Sequence, residues 1–226
     1  MELLKFSVSN SKMNKLAKFK GLKSRQVVSF DLPAGYTCPM ASLCLSKADR
    51  VTGKITDGRD AQFRCYASSL EAVFKSARLL HWHNFELLRK SDDIASLIEA
   101  SLPRDIKIVR IHSSGDFFNK KYFQAWVSVA VNHPEISFFG YTKILDYVSA
   151  ELPKNFGLVY SMGGKLDHKV TNEPRSYVVQ TSQDAEKMGL VVSCQENPVD
   201  DFDYVMSRQS FALVLHGTQP RKDVLK

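Results

Sequence analysis

The residues best able to do chemistry in this chain are its cysteines. Cys38, Cys44 and Cys65 lie in one stretch, TCPMASLCLSKADRVTGKITDGRDAQFRCYA, and Cys194 ends the distant apolar run GLVVSC. Thiolates bind soft metals, and four of them suit a tetrahedral zinc or an iron–sulfur cluster. The segments between them hold five residues, then twenty, then more than a hundred. Zinc knuckles keep paired ligands about two to four residues apart, and only the first gap comes near that. A loop wrapped around a larger cluster accommodates the longer gaps. The expectation is therefore an iron–sulfur cluster of the 4Fe-4S type held by Cys38, Cys44, Cys65 and Cys194, with zinc as the alternative. Cys194 also carries a second reading, a small buried hydrophobe at a strand end. Lys47, Arg50 and Arg64 occupy the same stretch and would offset the negative charge of a thiolate-bound cluster.

These residues need a scaffold, and the hydrophobic pattern supplies one. The run QVVSFDL reads as a strand that Pro33 and Gly35 end, so the cysteine loop follows it directly. From about Ser68 a helical pattern continues through SLEAVFKSARLLHWHNFELLRK, and Ser91-Asp92-Asp93 reads as the cap of a second helix, DIASLIEASL. After Pro103 strands and helices alternate. IKIVRIH, ISFFGYT, FGLVYSM, YVVQTS, LVVSC and FALVLHG read as strands, with KKYFQAWVSVAVNH, ILDYVSAEL and QDAEKMG as helices between them. Apolar strands alternating with helices indicate a parallel sheet covered by helices. The fold class is α/β, an open, partial parallel βα barrel of about seven strands, with a doubly wound open sheet as the other solution.

Parallel barrels carry their chemistry at the C-terminal ends of the strands. The predicted exits are Cys38 after the first strand and His112-Ser113-Ser114-Gly115-Asp116 after the second. Tyr141-Thr142-Lys143, Ser161-Met162-Gly163-Gly164, Thr181-Ser182, Cys194 and His216 follow at later exits. Polar and metal-capable residues thus collect on one rim, where Cys194 can join the cysteine loop. His112 and Asp116 are the candidates there for acid–base or polar contacts. Gly163-Gly164 reads as a turn. His81 and His83 stand two residues apart on a helix, face different sides and read as surface or packing residues.

Composition bounds the rest. With 226 residues, 44% of them hydrophobic, one α/β domain over 26–226 is expected, with a basic arm over 1–25. No apolar run of about 18 residues is present to span a membrane, and the N-terminus lacks the apolar core of a secretory signal. The expected setting is a reducing cytoplasm, where cysteines serve metal or redox chemistry rather than disulfides. Residues 1–25 carry Lys5, Lys12, Lys15, Lys18, Lys20, Lys23 and Arg25 against Glu2 alone, most of the net charge of +7. Such an arm suits nucleic acid, or it simply keeps the terminus solvated.

Two resemblances extend this reading. SNSKMNKL, VSFDLPAGYTCPMASLC, RCYA and RIHSSGDFFNKKYFQAWVSVAVNHPEISFFGYTK are similar to the bacteriophage gene product eighty-eight family over about residues 7–165. That resemblance implies a phage origin and action in the cytoplasm of an infected host cell, on an unidentified host or phage partner; it supplies no reaction. The arrangement also resembles radical S-adenosylmethionine enzymes, which place three cysteines in a loop after the first strand of a partial barrel. Their Gly-Gly-Glu-type motif after the second strand corresponds here to Ser114-Gly115-Asp116, which the resemblance assigns to cofactor binding. The cysteines here are more widely spaced than in those enzymes. A cluster with four cysteine ligands points to electron transfer, sensing or structure. One with three leaves an iron open for S-adenosylmethionine and points to an enzyme. A zinc-stabilised nucleic-acid-binding protein is the remaining alternative.

Overall fold

Short apolar runs bounded by proline and glycine become the strands of one curled sheet. The computed structural model describes residues 2–8, 11–193, 198–215 and 219, with the backbone alone over 198–200. In chain order the elements are α1 (Ser11–Phe19), β1 (Val27–Phe30), β2 (Ser46–Ala48), β3 (Ile55–Asp57), α2 (Tyr66–Val73), α3 (Lys75–Lys90) and α4 (Ile94–Ser101). Then come β4 (Ile108–Ile111), α5 (Lys120–Asn132), β5 (Ser137–Thr142), α6 (Leu145–Val148), β6 (Phe156–Ser161), β7 (Arg175–Val179), α7 (Ser182–Lys187), β8 (Val192–Ser193), α8 (Pro198–Met206) and β9 (Phe211–Val214). Seven strands form one sheet in the order β1-β4-β5-β6-β7-β9-β8, and every pairing in it is parallel. The expected open, partial parallel βα barrel is what forms. No helix among the described residues is long and apolar enough to cross a membrane.

Alternation along the strands sorts side chains between two cores. Val28, Phe30, Val109, Ile111, Phe138 and Leu158 face outward and pack with Ile98, Trp126 and Val129 of α4 and α5. Val27, Ile108, Phe139 and Val159 face inward and pack with Met13, Leu16 and Ala17 of α1 and with Phe202 and Val205 of α8. Both inner helices lie against the N-terminal part of the strands, so the inner face toward the strand exits is left to polar groups. The starts of α4 and α5 carry side-chain caps, the first at the expected place. Asp93 accepts from Ser96 N and Asn119 accepts from Tyr122 N, filling orphan donors of the first turn.

Three features depart from the pattern reading. The segment read as a basic arm contributes α1, with its apolar stripe in the inner core and Lys12 paired with Asp201 of α8. The long helical run divides at Phe74, whose extended φ of −104° separates α2 from α3. Arg78 then reaches back to Glu71 O and Ala72 O at the end of α2, supplying donors to carbonyls a broken helix leaves open. Finally, the cysteine loop contains an antiparallel hairpin, β2 with β3.

Candidate functional site

The hairpin explains how cysteines far apart in sequence meet. Leu43 O accepts from both Gln62 N at 2.8 Å and Phe63 N at 3.2 Å, and Leu45 O accepts from Gly58 N at 2.7 Å. The twenty residues between Cys44 and Cys65 leave and return at one place. Cys65 N closes the circuit by donating to Ser46 Oγ at 3.3 Å. A second fastening comes from the exit of β6. Gly163 O accepts from Ser42 N and Leu43 N, and Lys165 N donates to Met40 O at 2.9 Å. Asp167 holds that turn in place through Gly163 N and Gly164 N, both at 2.8 Å. Gly163-Gly164 is a turn, as read, and its role is to pin the cysteine loop.

As a result Cys38, Cys44 and Cys65 line one cavity of about 180 Å³ at the C-terminal ends of the strands. All three are half-buried free thiols. Burial raises the pKa of Cys38 well above the ordinary thiol value, and the nearby Asp116 and Cys65 add to the effect. Burial likewise raises Cys65, with Cys44 adding to it, while the N–H groups of Ala67 and Ser68 at the start of α2 work against it. Thiolates grouped in such a place need a cation to hold them ionised. Among the described residues, no group of three or more His, Cys, Asp or Glu side chains is set to hold a single metal ion. Cys194 and His216 lie outside the described residues.

The β4 exit forms another wall. His112, Ser114, Gly115 and Asp116 all line the cysteine cavity. His112 takes a positive φ of 70°. Its Nε2 meets Tyr122 OH at 2.8 Å, and burial lowers its pKa to about 3, so the ring is neutral at pH 7. Gly115, at φ 89°, has no room for a side chain, since a Cβ would stand 2.6 Å from Thr37 Oγ1. Asp116 accepts from Phe117 N at 2.7 Å, Thr142 Oγ1 at 2.8 Å and Lys143 N at 3.0 Å. Burial outweighs these donors and raises its pKa to about 6. The structure therefore brings His112, Ser114, Gly115 and Asp116 to the same cavity as the three cysteines.

The charges around the cavity differ from those expected. Of Lys47, Arg50 and Arg64, Arg64 lines it, bound to Asp57. Arg50 instead pairs with Glu86 and covers Trp82, and Lys47 lies over Tyr36. The other cations on the wall are Arg110 and Lys143. Lys143 Nζ is spent on Ser161 O, Ser161 Oγ and Met162 O. Sequence reading also missed two buried carboxylates that shape the β4 exit. Asp31 accepts from Ser29 Oγ at 2.7 Å, Ser113 N at 2.7 Å and Ser114 N at 3.0 Å. Glu71 Oε1 accepts from Ala34 N at 2.9 Å and Ser114 Oγ at 2.8 Å, and meets His81 Nδ1 at 2.7 Å. The signal for both was a lone carboxylate inside an apolar pattern, as in VVSFDL and YASSLEAV.

Fold and site together define a half-barrel α/β protein with a thiol-lined cavity at its strand exits. Comparison with known proteins places it further. The sequence profile of the gene product 88 family matches residues 2–223, and the chain belongs to that family. It is 30% identical over 149 residues to the Gene 88 protein of Mycobacterium phage L5, covering 59% of this chain and 56% of that protein. It is 29% identical over 206 residues to the Gene 88 protein of Mycobacterium phage D29, covering 80% of this chain and 78% of that protein. These matches support a bacteriophage origin. No solved structure matches.

Proposed function

We propose that the protein holds an iron–sulfur cluster at the strand-exit cavity, with Cys38, Cys44 and Cys65 as ligands and Cys194 as the fourth. The observation that carries this reading is the convergence of three free thiols on one cavity at the strand exits. The donor set fits the group. Sulfur ligands favour iron–sulfur clusters and zinc, and a cluster divides its thiolates among separate irons rather than drawing all of them onto one ion at about 2.3 Å. Bound there, a cluster supplies one-electron redox chemistry. The chain's own part is to orient the thiols through the hairpin and the Gly163-Gly164 turn, and to offset charge with Arg64 and Arg110. Redox, sensing and structural roles all follow from that arrangement. Iron and acid-labile sulfide should co-purify under anaerobic conditions and be lost in Cys38→Ser. Stoichiometric zinc without iron would overturn the reading.

A second reading is favoured by the β4 exit. Ser114, Gly115 and Asp116 share the cavity with the cysteines, the relation that a radical S-adenosylmethionine-like half-barrel requires. Under it three cysteines bind the cluster and Cys194 does not. Cys194→Ala distinguishes the two. Unchanged iron content together with reductive cleavage of S-adenosylmethionine would favour the enzyme, whereas loss of iron would favour the closed cluster.

A further inference from the structure

Behind the cysteine cavity lies a second one of about 700 Å³, between the inner face of the sheet and helices α1 and α2. Its volume falls within the range of about 300–1,000 Å³ typical of small-molecule sites. Tyr66, Arg110, Ser113 and Tyr141 line both cavities, so the two adjoin.

Arg110 is the unusual residue here. It is 8% exposed, yet its Nε has no hydrogen-bond partner among the described residues. Its Nη1 stands 3.9 Å from Asp201 Oδ2, beyond hydrogen-bond reach, and that oxygen already holds Lys12. Asp31, which lines the cavity, is occupied by Ser29, Ser113 and Ser114. The guanidinium rests over the Tyr141 ring, 5.5 Å from its centre. Ser113 Oγ and Tyr141 OH, which line the same cavity, are also buried without partners among the described residues. Native proteins rarely leave a buried arginine N–H and two hydroxyls unused, because each unmet group carries its full desolvation cost. Toward solvent the lining turns apolar with Leu70 and Phe74, 41% and 57% exposed.

We infer that this inner cavity binds a small organic oxyanion, a carboxylate or a phosphate ester. Arg110 grips the charged end with Ser113 and Tyr141, and Leu70 and Phe74 cover an apolar body. A planar fork whose carboxylate neighbour Asp201 stands 3.9 Å away, beyond hydrogen-bond reach, matches either oxyanion in bidentate fashion. The inference does not require a cluster at the cysteines, although a ligand seated here would end beside them.

The test uses purified full-length protein and three probes of similar size, phenyl phosphate, phenylacetate and neutral benzyl alcohol, followed by calorimetry at low salt. At least one oxyanion should bind saturably, and its identity separates the phosphate source from the carboxylate source. Benzyl alcohol should bind at least about tenfold more weakly, and Arg110→Met should weaken the oxyanion by about tenfold or more. If Arg110→Met does not fold, Arg110→Lys, which keeps the charge but not the fork, should show the same direction. If neither folds, the wild-type comparison of charged and neutral probes decides. The inference is overturned if neither oxyanion saturates, if benzyl alcohol binds equally well, or if a folded Arg110 variant binds as tightly as wild type.

Discussion

The carboxylates that fasten the β4 exit and the groups around Arg110 on the wall shared by both cavities differ in how they are used. At the β4 exit, Asp31 and Asp116 each accept three hydrogen bonds from backbone and hydroxyl donors. On the inner face, Arg110 Nε, Ser113 Oγ, Tyr141 OH and Asp201 Oδ1 have no partner among the described residues. The contrast separates fasteners from contacts. Saturated carboxylates set the shape of the rim, whereas groups left open are positioned for something the fold does not itself contain.

The largest break in that contrast should come from removing a fastener. Asp31→Ala strands Ser113 N, Ser114 N and Ser29 Oγ without their acceptor, and a loss of about 3–5 kcal/mol in denaturant unfolding is expected. A loss below about 1 kcal/mol would mean that water replaces the carboxylate. Gly115→Ala should cost less, about 1–3 kcal/mol, since it combines a positive φ with a contact against Thr37.

Asp116 offers a pH test of the same wall. Its pKa rises on folding to about 6 from the ordinary 3.8, so the folded state favours its protonated form. Its contribution to stability is complete below pH 3.8 and is lost as pH rises through about 6. The stability of wild type relative to Asp116→Asn should therefore fall between those limits. A difference that is flat with pH, or rises, would show that the three donors outweigh burial. The smallest effect is expected on the inner face. Tyr141→Phe deletes an unpartnered hydroxyl, so stability should stay within about 0.5 kcal/mol of wild type or improve. A large loss would move Tyr141 among the fasteners.

Much of the scaffold was legible because its signals are local. Proline and glycine bound the apolar runs of the sheet, and Asp93 and Asn119 sit where helix caps belong. The strand exits followed from those limits, and with them the meeting of His112, Asp116 and the three described cysteines. What escaped depends on contacts distant in sequence. Lysines hid the apolar stripe of α1, which has meaning only against the inner face of the sheet and α8. Phe74 continues the apolar pattern of its neighbours, so the break between α2 and α3 leaves no mark in periodicity. Arg110 lies within the strand pattern IKIVRI, whose alternation places it opposite Val109 and Ile111. Its value as a contact arises only from the cavity in front of it.

The β2–β3 hairpin has a consequence for how related chains are recognised. Since Leu43 joins its two ends, the excursion between Cys44 and Cys65 can lengthen or shorten in evolution while both sulfurs keep their places. A search keyed to a fixed interval between cysteines would pass over such chains. A pattern built on the anchors, a cysteine after the first strand, a diglycine turn with an acidic residue three or four positions later and a cysteine at a helix start, would keep them in view.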